Sequence, residues 1–333
     1  MRIDRILVAA IVVLVSTAIV GLSTGNTGAS FTASTTNPNQ SWATSNVAAP
    51  ASETATSAIA GRIDLSWPAT TTPANGHTVT YLVFRGGVQI ASTSGLTYSD
   101  TPPSDGTYPY TVQTKIAQGA GFFTSGDSPS QSPKSDRTAP TMSATCNGGS
   151  CTGWFTSAVT FVVSGNDGAG VGMGTATTNV DGAGAITSSA PRTVTVSGDS
   201  ASHSVVYSGA DAVGNTSGNT TQTIQIDGTP PTNATGLAAA TGTATGTVSL
   251  TWTAGSDATS GLSGYTIHRS GVVASCPATT AANYPTTYAV GAVTSAAPGG
   301  MVSNSKYCFY ITATDNAGNV SAASAAVGPT KAK

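Results

Sequence analysis

Charged residues are scarce in this chain of 333 residues. Only 8% of the residues are Asp, Glu, Lys or Arg, which is about a third of the usual share in soluble globular proteins, and Glu53 is the only glutamate. Lys and Glu favour helices, whereas the Thr, Ser, Val and Gly that replace them favour strands and turns. The composition therefore predicts an all-β protein. The net charge of −2 gives no reason to expect nucleic acid as a partner.

Residues suited to catalysis are also few. The three histidines, His77, His203 and His268, lie far apart in the sequence, and neither a His-Glu-x-x-His motif nor a phosphate-binding loop occurs. Glycosidases need two carboxylates at a fixed separation, and a single glutamate with scattered aspartates gives such a pair little support. His203 and His268 are expected on strand surfaces, and His77 in a solvated turn. The sequence predicts a protein that is not an enzyme.

The N-terminus carries an apolar run, from Ile6 to Leu22, behind a short and net positive start. The run is long for the core of a signal peptide and slightly short for a membrane-spanning helix, which needs about 20 residues. Residues 1–29 are therefore predicted to be a signal helix, either a cleaved signal peptide or a retained N-terminal membrane anchor, and 30–47 a leader or linker. Either alternative predicts export, to the medium or to the cell surface. A membrane is expected as a partner only through this segment if it stays uncleaved.

The four cysteines fit an exported protein, because disulfides persist in oxidising compartments. Cys146 and Cys151 are separated by a short turn, and Cys276 and Cys308 lie in one later segment. Four cysteines allow three connectivities, of which local pairing within each couple is the simplest. Zinc is the competing interpretation, but the spacing is unusual for zinc and no histidine lies close by in sequence.

Two parts of the chain repeat each other. Residues 62–69 and 247–254 alternate apolar and polar residues with a period of two, which predicts half-buried strands, and each contains a tryptophan, Trp67 or Trp252. Two further predicted strands also match in order: Tyr81-x-Val83-x-Arg85-x-Gly87 with Tyr265-x-Ile267-x-Arg269-x-Gly271, and Tyr108-x-Tyr110-x-Val112 with Tyr307-x-Phe309-x-Ile311.

This order of an early Trp strand, a Tyr-x-aliphatic strand and a late Tyr-x-aromatic strand resembles fibronectin type III modules, over 48–133 and 229–330. The resemblance implies that each Trp fills the centre of a sandwich. It also implies that Tyr108 and Tyr307 occupy the tyrosine-corner position.

The segment 138–228 differs from the repeats. Its Trp154, its Val-Thr-x-Val strands and its Asp211-Ala-Val-Gly-Asn215 ending resemble bacterial immunoglobulin-like repeats of surface and secreted proteins. Prolines mark both junctions and predict short, fairly stiff links. The expected architecture is three tandem antiparallel immunoglobulin-like or fibronectin type III β-sandwiches behind the N-terminal signal helix.

Aspartates recur at the predicted loops. Asp211 and Asp315 each end the predicted sixth strand of their module, and Asp167 and Asp257 open the loop after the Trp strand or its equivalent. In an immunoglobulin-type sandwich these two loops emerge at the same end. Two interpretations stay open: the carboxylates cap local turns, or they form a calcium site, since calcium takes hard oxygen ligands. No other cofactor is expected.

The sequence favours a non-catalytic extracellular protein that has a structural or adhesive role or binds a polymer. The expected partners are an extracellular polymer, the cell wall or another surface protein. The alternative is an accessory carbohydrate-binding component of extracellular polysaccharide degradation. Leu82 and Phe84 alternate with inward residues and, with Phe122 and Phe123, could form a partner or carbohydrate patch or a contact between modules.

Overall fold

The computed structural model describes residues 47–72, 76–118 and 121–333. The predicted signal helix and nearly all of the predicted leader lie outside this part of the chain. The chain divides into two compact units, the first ending at Thr138 and the second running from Ala139 to Lys333. Among the described residues, no helix has the length and apolar character that crossing a membrane requires.

The first unit contains one sandwich. Its two sheets have the strand orders β1-β2-β5 and β4-β3-β7-β8, all antiparallel, and a short β6-β9 pair flanks them. A 3₁₀ turn spans Ile59–Gly61. The strands are β1 (Thr54–Ser57), β2 (Ile63–Ser66), β3 (Val79–Arg85), β4 (Val88–Thr93), β5 (Thr97–Asp100), β6 (Gly106–Thr107), β7 (Tyr110–Gln118), β8 (Gly121–Thr124) and β9 (Lys134–Ser135).

The second unit begins with the middle sandwich. Its sheets have the orders β10-β12-β15 and β11-β17-β16-β13-β14, and the short β11 pairs in parallel with β17 while the other pairs are antiparallel. The strands are β10 (Thr141–Cys146), β11 (Trp154–Phe155), β12 (Val159–Asn166), β13 (Met173–Val180), β14 (Ile186–Ser189), β15 (Arg192–Val196), β16 (Ser200–Asp211) and β17 (Thr220–Ile226).

The last sandwich completes the second unit. Its sheets have the orders β18-β19-β22 and β21-β20-β23-β24, which repeat the three-plus-four arrangement of the first sandwich. The strands are β18 (Thr235–Thr241), β19 (Val248–Thr253), β20 (Leu262–Arg269), β21 (Thr286–Gly291), β22 (Ser295–Ala296), β23 (Lys306–Asp315) and β24 (Val327–Lys331).

Each sandwich encloses its own apolar core between the two sheets. The period-two pattern of the sequence sets these cores, because alternate residues of a strand face opposite sides of the sheet. In β2, for example, Ile63 and Leu65 are fully buried, whereas Ser66 is exposed. Trp67 and Trp252, just beyond β2 and within β19, are buried in the first and last cores as expected.

The two expected tyrosine corners are present. The Tyr108 hydroxyl donates to the carbonyl oxygen of Ser104 at 3.1 Å, and the Tyr307 hydroxyl accepts the backbone N–H of Val302 at 3.0 Å. Both bonds reach the backbone a few residues upstream, which is the mark of this corner. The expectation of an all-β chain of immunoglobulin-like sandwiches is thus confirmed.

Candidate functional site

The acidic loops of the middle sandwich meet at one end of it. Asp167 directly follows β12, and Asp211 is the last residue of β16. One carboxylate oxygen of Asp167 lies within 4.8 Å of one carboxylate oxygen of Asp211. Both residues are buried, with 8% and 3% of their surface exposed. The structure therefore brings this predicted pair together in a largely desolvated position.

The two carboxylates differ in their hydrogen bonds. Asp211 Oδ1 accepts three successive backbone N–H groups, those of residues 213–215, at 2.6–2.9 Å. Its Oδ2 accepts the side-chain amide of Asn215 at 2.6 Å. Asp167 Oδ2 accepts the N–H of Gly172 at 2.7 Å, whereas its Oδ1 is buried without a hydrogen-bond partner. Turn capping accounts for every oxygen of this pair except Asp167 Oδ1.

The acidic loops of the last sandwich also meet, and Asp227 joins them in a cluster of three carboxylates. Oxygens of Asp257, Asp315 and Asp227 all lie within 4.8 Å of one another. Asp257 Oδ1 caps its loop by accepting the N–H groups of residues 259–261. Asp315 accepts the backbone N–H and the side-chain amide of Asn319. Asp227, which follows the last strand of the middle sandwich, is not among the residues predicted from the sequence.

Asp227 connects the two sandwiches of the second unit. It is fully buried, its Oδ1 accepts the N–H of Thr229 at 3.1 Å, and its Oδ2 accepts the N–H of Ser260 at 3.1 Å. The side-chain amide of Asn319 donates to the Asp227 carbonyl oxygen at 2.8 Å. The end of β17 is thus hydrogen-bonded to two loops of the last sandwich.

Strand β8 of the first sandwich carries two exposed aromatic residues. Phe122 and Phe123 of β8 are 60% and 53% exposed, and the Lys115 ammonium lies 4.2 Å from the centre of the Phe122 ring. On the same sheet Leu82 is buried and Phe84 half-buried, although neither belongs to the core between the sheets.

In the last sandwich a disulfide-bonded segment covers the matching face. Strands β3 and β4 are joined by two residues, but β20 and β21 are joined by residues 270–285. Cys276 in this segment is bonded to Cys308 of β23, as the sequence analysis expected, and a small second core forms around Tyr284, Cys308 and Tyr310. Cys308 therefore faces away from the main core, yet is fully buried.

The other cysteine couple, Cys146 and Cys151, is also bonded. It closes the turn after β10, and both residues are buried at the edge of the middle core. No free cysteine remains among the described residues. Two local disulfides are typical of a protein folded in an oxidising compartment.

The histidines show no catalytic arrangement within the described residues. His203 is buried rather than on the surface, which corrects the expectation from the strand pattern: its Nδ1 bonds Asp181 at 2.7 Å and its Nε2 bonds the Gly198 carbonyl at 2.8 Å. Although burial alone would lower the pKa of His203, these two partners raise it.

His268 stacks on Tyr310, with ring centres 4.3 Å apart, and burial lowers its pKa. His77 is exposed.

No protein-family model matches the chain. It is 33% identical over 285 residues to Exoglucanase B of Cellulomonas fimi, an alignment that covers 80% of this chain and 24% of that protein. The chain thus spans about a quarter of the length of this curated relative.

Similar solved structures include the FN1-FN3 domains of chicken CNTN1, at 14% identity and a TM-score of 0.38, covering 85% of this chain and 98% of that one. They also include fibronectin(III)-like modules of CbhA from Clostridium thermocellum, at 14% identity and a TM-score of 0.32, covering 53% and 94%.

The sheet orders and the tyrosine corners identify the architecture independently of these likenesses. In an immunoglobulin-type sandwich, strands A, B and E form one sheet and C, F and G the other. Strands β1-β2-β5 and β18-β19-β22 are A-B-E, and β3-β7-β8 and β20-β23-β24 are C-F-G. The chain is an array of immunoglobulin-like β-sandwiches, of which the first and the last share one sheet arrangement.

Proposed function

We propose that this chain is a non-catalytic part of an extracellular protein and acts as a spacer that holds other parts of an extracellular assembly at a distance. The observation that carries the proposal is the hydrogen-bonded joint at Asp227. Ser260 and Asn319 of the last sandwich both bond this one buried residue of the middle sandwich. A joint of this kind resists bending, because a rotation about it would break the bond from Ser260 to the buried carboxylate and the bond from Asn319 to the Asp227 carbonyl oxygen.

Two features that suit an exported protein support the same proposal. Two disulfides favour an oxidising compartment, and the apolar N-terminal segment is suited to a signal peptide or an anchor. The partners we propose are an extracellular polymer, the cell wall or another surface protein.

A second function, contact with a polysaccharide, is favoured by the exposed Phe122 beside Lys115. Aromatic rings on an exposed sheet offer apolar faces that can pack on sugar rings. Exoglucanase B is by its name an enzyme that acts on a glucan. We therefore propose as the alternative that this chain accompanies polysaccharide degradation and contacts the substrate through the first sandwich.

Incubating the full chain with insoluble cellulose, xylan, chitin and purified cell wall tests both functions. A spacer releases no reducing sugars, and replacing Phe122 does not change how much of it leaves the supernatant. The alternative is supported if the wild-type chain is depleted from the supernatant and Phe122→Ala abolishes this depletion. Ile186→Ala is the matched control, because it also removes an exposed apolar side chain, one with 59% exposure. Release of reducing sugars would overturn the non-catalytic proposal.

A further inference from the structure

Asp167 is the residue whose position turn chemistry leaves unexplained. Its Oδ1 is buried without a partner, while the other oxygen already accepts the N–H of Gly172. A buried carboxylate oxygen without a hydrogen bond is strongly unfavourable, because it loses water and receives nothing in return. The arrangement needs a positively charged or hydrogen-donating group next to Asp167.

The neighbour of Asp167 makes this requirement stronger. The Asp211 carboxylate lies within 4.8 Å of it, and two like charges this close repel each other more strongly in a desolvated position than in water. Neither residue takes part in an ion pair within the part of the chain that the structure describes. The backbone donors to Asp211 stabilise that carboxylate alone, and Asp167 receives only the N–H of Gly172, on Oδ2.

We propose that Asp167 and Asp211 bind a calcium ion. Calcium–oxygen distances are about 2.3–2.6 Å, so two oxygens on one ion lie no more than about 5 Å apart, and this pair satisfies that limit. Asp167 Oδ1 is the free ligand atom. The oxygen-only donor set suits a hard cation, and the absence of a free cysteine among the described residues disfavours a thiolate metal site.

The last sandwich repeats the loop pair that carries this site. Asp257 lies in the loop after β19 and Asp315 ends β23, as Asp167 follows β12 and Asp211 ends β16 in the middle one. The hydrogen bonds to Asp257 all end on Oδ1. The proposal itself concerns Asp167 and Asp211. It does not depend on the proposed spacer function.

The test is calcium binding to the full chain, measured by equilibrium dialysis against radioactive calcium and by scanning calorimetry with calcium chloride or chelator. Calcium at about 100 times its dissociation constant is expected to raise the melting temperature of the second unit by roughly 5–10 °C. Asp167→Asn should lower the number of bound calcium ions by one. It should also remove the part of the rise in melting temperature that this ion causes. Asp211→Asn, which keeps an oxygen for the turn amides, should do the same.

Asp181→Asn is the matched control. It removes one charge from the same sandwich, but Asp181 follows the end of β13 that pairs with Val205, opposite the end that pairs with Asp211. Its calcium stoichiometry should equal that of the wild type. Far-ultraviolet circular dichroism checks that each variant is folded. The proposal is overturned if folded Asp167→Asn binds as many calcium ions as the wild type, or if the wild type binds none at millimolar calcium.

Discussion

The rings of Trp252 and Tyr265 meet edge to face in the last sandwich, with centroids 5.4 Å apart. Trp67 and Tyr81 lie 5.8 Å apart at the equivalent place in the first sandwich. In both sandwiches the tyrosine hydroxyl accepts a backbone N–H from the loop after the tryptophan, that of Gly255 or Thr70, at 3.0 Å. One aromatic pair thus fills the core and fixes the following loop in each sandwich.

Replacing either tryptophan should therefore unfold its own sandwich. Trp252→Ala is expected to lower the free energy of unfolding of the last sandwich by about 3–5 kcal/mol, because the indole leaves a cavity that the sheets cannot close. Urea unfolding followed by tyrosine fluorescence measures the change. Phe122→Ala, at a 60% exposed position, should change stability by less than about 0.5 kcal/mol. Equal effects of the two substitutions would contradict the burial of Trp252.

The sequence was sufficient for the features that depend on local pattern. Trp67 and Trp252 could be placed in cores because their strands alternate with a period of two, and alternation determines which face is buried. Asp167 and Asp211 could be predicted to converge because the two loops that carry them emerge at the same end of an immunoglobulin-type sandwich.

Contacts between segments distant in sequence could not be predicted in this way. Asp227 joins Asp257 and Asp315 only because the end of one sandwich packs on the loops of the next. His203 is buried because its partner Asp181 lies in the turn between β13 and β14. One signal in the sequence does point to Asp227. The motif Asp-x-Thr-x-Pro occurs both at 136–140 and at 227–231, and in each copy the aspartate accepts the N–H of the threonine.

Serine hydroxyls replace strand-to-strand hydrogen bonds beside β7 of the first sandwich and β23 of the last. Ser324 Oγ accepts the buried N–H of Ile311 at 3.0 Å, as Ser128 Oγ accepts that of Val112 at 2.9 Å. Ser324→Ala should therefore leave a buried donor unsatisfied and lower stability by about 1–3 kcal/mol. Denaturant unfolding measures the loss, and Ser143→Ala, at an exposed position, should have little effect. A neutral Ser324→Ala would show that water reaches the Ile311 amide.

Glu53 should make the first sandwich less stable as the pH rises. The residue is 4% exposed, Ser128 donates to its Oε2 at 2.7 Å, and its Oε1 has no partner. Burial raises the pKa of Glu53 above 4.5, against the smaller lowering by Ser128. A raised folded-state pKa stabilises the fold below the unfolded pKa, and this contribution is lost as the pH rises through the folded pKa.

Glu53→Gln imitates the protonated acid and should remove this pH dependence. The difference in urea midpoint between variant and wild type should be small at pH 4 and favour the variant at pH 7. Asp127→Asn, at an exposed position of the same sandwich, controls for the loss of one charge. A difference that does not change with pH would argue against a buried ionised Glu53.

The pair of His203 and Asp181 should stabilise the middle sandwich over a defined pH range. The Gly198 carbonyl and the Asp181 carboxylate raise the pKa of His203 above 6.5 despite the opposing effect of burial. The hydrogen bond from His203 holds the pKa of Asp181 below 3.8. The histidine contribution is lost as the pH rises through its folded pKa, and the aspartate contribution as the pH falls below about 4.

The contribution of this pair is therefore greatest between about pH 4 and 6.5. His203→Gln should destabilise the middle sandwich more at pH 5.5 than at pH 8.5, as measured by hydrogen exchange protection of β16 amides relative to wild type at each pH. His77→Gln, at an exposed site, should show no such difference. An equal loss at both pH values would mean that His203 acts only by packing.

The two disulfides should differ in their effect on stability. Cys276 and Cys308 are separated by 32 residues, and Cys146 and Cys151 by 5. A cross-link lowers the entropy of the unfolded chain more when the loop it closes is longer, by about 3–4 kcal/mol for the first and about 2 kcal/mol for the second. The double replacement Cys276→Ala with Cys308→Ala should therefore destabilise the second unit more than Cys146→Ala with Cys151→Ala.

The longer cross-link also keeps residues 270–285 on the outer face of the last sandwich, over Tyr310. Without it, limited proteolysis should cut first within 270–285, and the His268–Tyr310 stack should become accessible to solvent. Removal of the shorter bridge gives the comparison, since it should leave cleavage in 270–285 unchanged. Equal resistance of that segment with and without the Cys276–Cys308 bond would show that apolar packing on Tyr284 and Tyr310 suffices to hold it.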